Sequence, residues 1–138
     1  VLFRSRLGHG VRIVEDIEIV DGSARLGRLA AYVRDARIPL EVAPSSNLQT
    51  GIADELADHP VELLKDLGFN VTVNCDNRLM SATTMTREYE RLVETFNWDL
   101  DDLELTTINA MRAAFLPHDQ RESIVREVIR PAYAAARA

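Results

Sequence analysis

Three short polar segments carry side chains able to do chemistry: His9 between Gly8 and Gly10, Ser45 and Ser46 after Pro44, and Asp76 with Asn77 after Cys75. An imidazole such as that of His9 can hold a reacting water, or, flanked by glycines, simply hydrogen-bond a loop. Asp76 closes an apolar run, where a carboxylate is desolvated unless it is paired or holds a metal; a helix cap or an ion pair would meet the same need. Asn77 has a donor and an acceptor on one amide, useful against the edge of a heterocycle and equally at home in a turn. A serine nucleophile needs a base to take its proton. No such partner accompanies Ser45 or Ser46, which are expected to bond rim backbone. His59, before Pro60, and His118, in the opening of the last helix, follow no strand and read as capping or surface residues. Cys75 alternates onto the face opposite Asp76 and reads as a small buried hydrophobe, not a metal thiolate. Trp98 with Asp99, Asp101 and Asp102 reads as a helix start, where carboxylates favour the positive end of the dipole, and not as a calcium loop.

Elements must bring these side chains together, and hydrophobic periodicity predicts a repeated strand, loop and helix. An apolar segment from Val1 closes on Arg6-Leu7-Gly8-His9-Gly10 as a first strand. Leu26, Leu29, Ala30, Val33 and Ala36 recur at three- and four-residue steps, which predicts a helix beginning near Ser23 with Ser23 as its N-cap. Ile38 to Ala43 predicts a second strand, ended by Pro44 because proline cannot donate to a ladder. Pro60 starts a helix through Val61, Leu63, Leu64 and Leu67, and Gly68 stops it. Val71, Val73 and Cys75 alternate with Thr72, Asn74 and Asp76, a third strand with one apolar face. Three helices follow: one from about Thr86 carrying Tyr89, Leu92, Val93 and Phe96, one opened by Asp99, and one after Pro117 carrying Ile124, Val125, Val128 and Ile129.

His9, Pro44 and Asp76 stand at or just after the three strand ends, at intervals of 35 and 32 residues. That suits βα units of about 30 residues each. Strands joined by crossover helices are parallel, and a parallel sheet wants both faces covered. A doubly wound sheet or a barrel follows. On either reading the fold class is α/β; a (β/α)8 barrel takes about 250 residues, so in a barrel these three βα units plus terminal helices would be its last part and not the whole. The C-terminal strand ends of a barrel form its catalytic rim, which gathers His9, Ser45, Ser46, Asp76 and Asn77 in one place.

Composition narrows the class further. The 138 residues are 46% hydrophobic and 28% charged, with net charge −6 and pI near 5.0. Enough apolar mass is present for a core, and the acidic balance argues against nucleic acid or an anionic membrane surface as a partner. No run approaches the roughly 18 apolar residues of a membrane span, no signal peptide is visible, and the single Cys75 cannot form an internal disulfide. A cytoplasmic protein in one structural piece fits best. Val1 stands where an initiator Met is usual, and Leu2-Phe3-Arg4-Ser5 reads like a translated sequencing adapter, so a truncated frame with native sequence from near Arg6 is expected.

The residues say more than their spacing. Arg6-Leu7-Gly8-His9-Gly10, then Pro44-Ser45-Ser46-Asn47 with Gln49-Thr50-Gly51, then Asn74-Cys75-Asp76-Asn77-Arg78-Leu79-Met80-Ser81, then Asn109-Ala110-Met111-Arg112-Ala113-Ala114-Phe115-Leu116 occur in that order. From about Arg6 to about Ile129 the chain strongly resembles the C-terminal part of the adenosine deaminases, in their bacterial branch. The resemblance implies a (β/α)8 barrel with one Zn2+ per full-length chain, hydrolysing adenosine or deoxyadenosine to inosine and ammonia in purine salvage. Residues 1–138 would be the incomplete C-terminal part of that single barrel domain, supplying strands six to eight. By the same resemblance Asp76 matches the aspartate that binds zinc, and His9 matches the catalytic histidine that orients the nucleophile and favours the charged tetrahedral state. Asn77 departs from the second aspartate that most members use to hold purine N7; N7 only accepts hydrogen bonds, and an amide always has an N–H to give. The family's paired histidines on the first strand, its later histidine ligand and its proton-donating glutamate have no counterpart here. The missing N-terminal half of the barrel is therefore an expected partner, and the chain alone is expected to be inactive. A non-catalytic module that binds nucleosides or another protein is the alternative, and adenine, adenosine 5′-phosphate or a modified nucleoside stays open as the substrate.

Overall fold

The computed structural model describes residues 6–138; the reading of Leu2 to Ser5 as foreign and the opening of the first apolar segment lie outside the described residues. Strand β1 (Leu7–Gly8) runs into a 3-10 turn over Val11–Asp16, a hairpin of β2 (Ile17–Val20) and β3 (Ser23–Leu26), and helix α1 (Arg28–Asp35). Strand β4 (Leu40–Val42) leads to α2 (Pro44–Gln49), a 3-10 turn at Leu56–Asp58 and α3 (Val61–Asp66). Strand β5 (Val71–Val73) is followed by α4 (Met85–Phe96) and α5 (Leu100–Ala113). The chain then continues through α6 (His118–Ile124), a π-helical turn (Val125–Ile129) and α7 (Arg130–Ala136).

β1, β4 and β5 form one parallel sheet in that order, with Leu7 opposite Leu40, and Leu40 opposite Val71. Every residue of β5 is buried, Thr72 included, because its hydroxyl finds the Leu40 carbonyl and Asn74 Nδ2. The expected single apolar face of this strand is thus corrected: both faces are covered, as parallel strands require. Leu40, Val42, Val71 and Val73 pack with Val11, Ala30, Val33, Val61, Leu64, Phe69, Leu92 and Trp98 in one core. Helix α5 docks on β5 through a buried contact in which Asn109 Nδ2 donates to the Val71 carbonyl at 3.0 Å.

Local signals set most boundaries. Pro44 is the first residue of α2, Thr84 and Asp99 cap α4 and α5, and Asp99 closes a reciprocal capping box with Asp102. Gly68 takes φ +78° just past α3, a backbone that other residues rarely adopt. The helix expected near Ser23 starts instead at Arg28, and Ser23 lies in a strand. Asp21 and Gly22, at φ +50° and +76°, make the two-residue loop of the β2–β3 hairpin. The helix is capped from a distance: Asp16 Oδ2 accepts the Ala30 N–H at 2.8 Å. Ala30 and Val33 face the core as expected, but Leu29 and Ala36 are exposed. Among the described residues no helix is long and apolar enough to cross a membrane.

Candidate active site

All three parallel strands end on the same open pocket, about 390 Å³, lined by Gly8, His9, Glu41, Ala43, Asn74, Cys75, Asp76 and Met85. β1 delivers His9, whose N–H donates to the Glu41 carbonyl at 3.1 Å while its own backbone turns left-handed at φ 54°. Gly10 follows at φ +65°, where a Cβ would stand 2.7 Å from Leu40 Cδ2, so any side chain there is strained and must displace Leu40. β5 delivers Asp76 by way of buried Cys75, again with left-handed backbone at φ 53°. Asp and His tolerate that conformation better than most residues.

Asp76 Oδ2 accepts the Ser46 hydroxyl at 2.7 Å and stands 3.7 Å from His9 Nε2. No hydrogen bond among the described residues engages Oδ1, which leaves that oxygen for a cation. Ser46 therefore bonds a carboxylate, correcting the expectation of rim backbone. Ser45 is corrected likewise: its Oγ accepts from Arg91 Nη1 at 2.5 Å, while its N–H donates to Glu88 Oε2 at 3.0 Å. Glu88 is wholly buried, and its other oxygen accepts the Thr83 hydroxyl at 2.5 Å. This carboxylate, brought from α4, caps α2 and holds the rim helix in place.

Asn77 is exposed and does not line the pocket; its Oδ1 accepts the Met80 N–H at 3.1 Å in a turn, which leaves its Nδ2 as the outward donor. Glu41 sits in the pocket wall paired to Arg6 at 3.0 Å, and the Arg6 guanidinium lies 3.8 Å over the Phe115 ring. Cys75 is buried as expected, but β5 ends at Val73 and Cys75 lines the same pocket as Asp76, so the expected placement on the opposite face is corrected. Burial, with the charge of Glu88, pushes its thiol above the ordinary range, and Arg78 opposes this, so a thiolate is disfavoured. His118 is exposed, as expected of a surface residue.

His59 is not on the surface. It is 3% exposed, and burial lowers its pKa to about 4 against a partial opposing pull from Glu88, so the ring is neutral near pH 7. Its capping role does hold, since Nδ1 accepts the Val61 N–H at 3.0 Å. Its Nε2 lies 3.1 Å from Asn47 Oδ1, and Asn47 Nδ2 lies 2.9 Å from His9 Nδ1. Asn47 belongs to the Pro44-Ser45-Ser46-Asn47 block, whose four residues are all buried in α2. Three consecutive polar side chains, Ser45, Ser46 and Asn47, buried together are the sign that they serve a site.

Among the described residues, no group of three or more His, Cys, Asp or Glu stands close enough to hold a metal ion. Besides Glu41, which Arg6 pairs, the pocket provides the Asp76 carboxylate and the His9 imidazole beside it. That set fits part of a catalytic zinc centre, which takes three protein ligands.

The family model described as adenosine deaminase matches residues 1–131. Adenosine deaminase 1 of Streptomyces coelicolor is 60% identical over 130 residues, and the adenosine deaminase of Mycobacteroides abscessus is 62% identical over 130; each match takes in 94% of this chain. The chain spans about a third of the length of these relatives, 33% and 36%. Among solved structures, the adenine deaminase of Arthrobacter aurescens superposes with TM-score 0.80 at 25% identity, over 93% of this chain and 36% of that one. A Burkholderia ambifaria amidohydrolase with bound Zn gives TM-score 0.77 at 21% identity, over 95% of this chain and 34% of that one. The parallel β1-β4-β5 sheet is accordingly part of a (β/α)8 barrel, and with its model matched over nearly the whole sequence, the chain belongs to the adenosine deaminase family.

Proposed function

We propose that this sequence carries the C-terminal rim of a zinc-dependent hydrolase that converts adenosine or deoxyadenosine and water to inosine and ammonia, serving purine salvage in the cytoplasm. The observation that carries the reading is the meeting of His9 and Asp76, from two strand ends, in one pocket of a chain about 60% identical to adenosine deaminases. Asp76 would hold zinc through Oδ1, with the remaining ligands and the acid that protonates the purine ring supplied by the other part of the barrel. Zinc, when bound, supplies Lewis-acid activation of the attacking water.

The side chains of this chain have separable tasks. Ser46 fixes the Asp76 carboxylate through Oδ2 and so aims Oδ1. His9 faces Asp76 with Nε2, where it can hydrogen-bond the incoming oxygen as C6 becomes tetrahedral and charge develops. Asn77 keeps its amide oxygen in its own turn and offers Nδ2 to purine N7, which can only accept.

The test is kinetic, in the sequence joined to the N-terminal barrel segment of a close relative. His9→Ala should lower kcat by about 100- to 10,000-fold with little change in KM, because the interaction is made in the transition state. Asn77→Leu should raise KM with zinc content unchanged. A His9→Ala loss confined to KM, or loss of zinc on replacing Asn77, would overturn these assignments.

A further inference from the structure

We propose that Asn47 and His59 are positioning residues, a buried relay that holds His9 as the tautomer with its proton on Nε2, the nitrogen facing Asp76. Two backbone N–H groups set the direction of the relay, because a backbone N–H can only donate. The Val61 N–H donates to His59 Nδ1 at 3.0 Å, so the neutral ring carries its proton on Nε2. That Nε2–H points at Asn47 Oδ1, 3.1 Å away. The second backbone donor, the Ala43 N–H, reaches the same oxygen at 3.4 Å. With Oδ1 taken by two donors, the Asn47 amide cannot be flipped without setting donor against donor. Its Nδ2 therefore faces His9 Nδ1 at 2.9 Å and donates to it.

An imidazole nitrogen that accepts carries no proton, so neutral His9 is left with Nε2–H. Burial reinforces the link between His59 and Asn47. Asn47 is 1% exposed and His59 3%, so water cannot substitute for a missing partner, and the acid-shifted pKa of His59 keeps it neutral through the physiological range. The relay starts at the first turn of α3, crosses α2 and ends at the β1 rim, tying three elements to one imidazole. The inference rests on the proposed role of His9 for its use in turnover, but not for its existence in the folded chain.

Nitrogen-15 NMR of the chain labelled at both histidine and asparagine, at pH 8, reads the tautomer directly. His9 should show an unprotonated Nδ1 and a protonated Nε2 in roughly tenfold or greater excess, with a coupling across the Asn47 Nδ2–H to His9 Nδ1 hydrogen bond. In Asn47→Asp the group facing His9 can only accept, and the ratio should invert toward Nδ1–H; in Asn47→Leu the selection should vanish. An equal mixture in the unmodified chain, absence of the coupling in the folded protein, or an unchanged ratio in a folded Asn47→Asp variant overturns the relay. Should both variants fail to fold, the coupling in the unmodified chain decides. Failure of the deaminase reading would show as a catalytically dispensable His9 and leave these spectra unchanged, so the two are distinguishable.

Discussion

A neutral imidazole sealed beneath the rim makes the protein sensitive to acid at one residue. The His59 pKa is near 4 in the folded chain, against about 6.5 in an unfolded one. Between these values the unfolded state binds the proton and the folded state does not, so stability falls as pH is lowered. The contribution is fully present above about pH 6.5 and declines through about pH 4, by on the order of 3 kcal/mol. Denaturant melts of the chain and of His59→Gln at pH 7 and pH 4 isolate it, since the carboxylates common to both cancel. The variant should lose less stability on acidification, and parallel pH profiles would contradict the assignment. His9 and Asp76 were legible in the sequence because strand ends announce themselves by periodicity. His59 was legible only as a cap, and Asn47 only as part of a block, because their tie joins residues 12 and 38 apart and no local pattern records such a distance.

Elements show the same division between local and distant information. Where the cap is adjacent to its helix, as at Thr84 and Asp99, sequence places the start to within a residue or two. α1 escapes because its cap, Asp16, sits across a hairpin, and because Leu26 and Leu29 extend a helical rhythm backward through a strand. The Asp21-Gly22 pair was the available sign that a hairpin interrupts it. Asp16 reaches α1 only because Gly27 has no side chain: a Cβ there would stand 2.1 Å from Asp16 Oδ1. Gly27→Ala should therefore destabilise the fold by about 1 kcal/mol, through loss of the cap, although alanine is the better helix former. Asp16→Ala should cost a similar amount, and the double variant scarcely more than either. Thermal melts of the three variants measure this; additive losses would mean that the two positions act independently.

As a whole molecule the described chain has a sheet with β4 at its centre and no strand pairing on the outer edges of β1 and β5. Leu79, Met80, Phe115, Leu116, Tyr32 and Leu29 are exposed. Unpaired edges and exposed apolar groups favour association. Gel filtration of the 138-residue chain should show an elution volume that moves with concentration, and hydrogen exchange should be fastest in β1, which is only two residues long. A sharp monomer peak at all concentrations with slow exchange throughout the sheet would show instead that this unit is self-sufficient. The left-handed backbone at His9 and Asp76 acts on a longer timescale, that of sequence change. Val, Ile and Thr are severely strained there, whereas Gly, Asn, Asp and His are admitted. Under random mutation filtered for folding alone, these two positions would already be confined to a short alphabet, so the side chains that can stand at these two strand ends are preselected by the turns that present them.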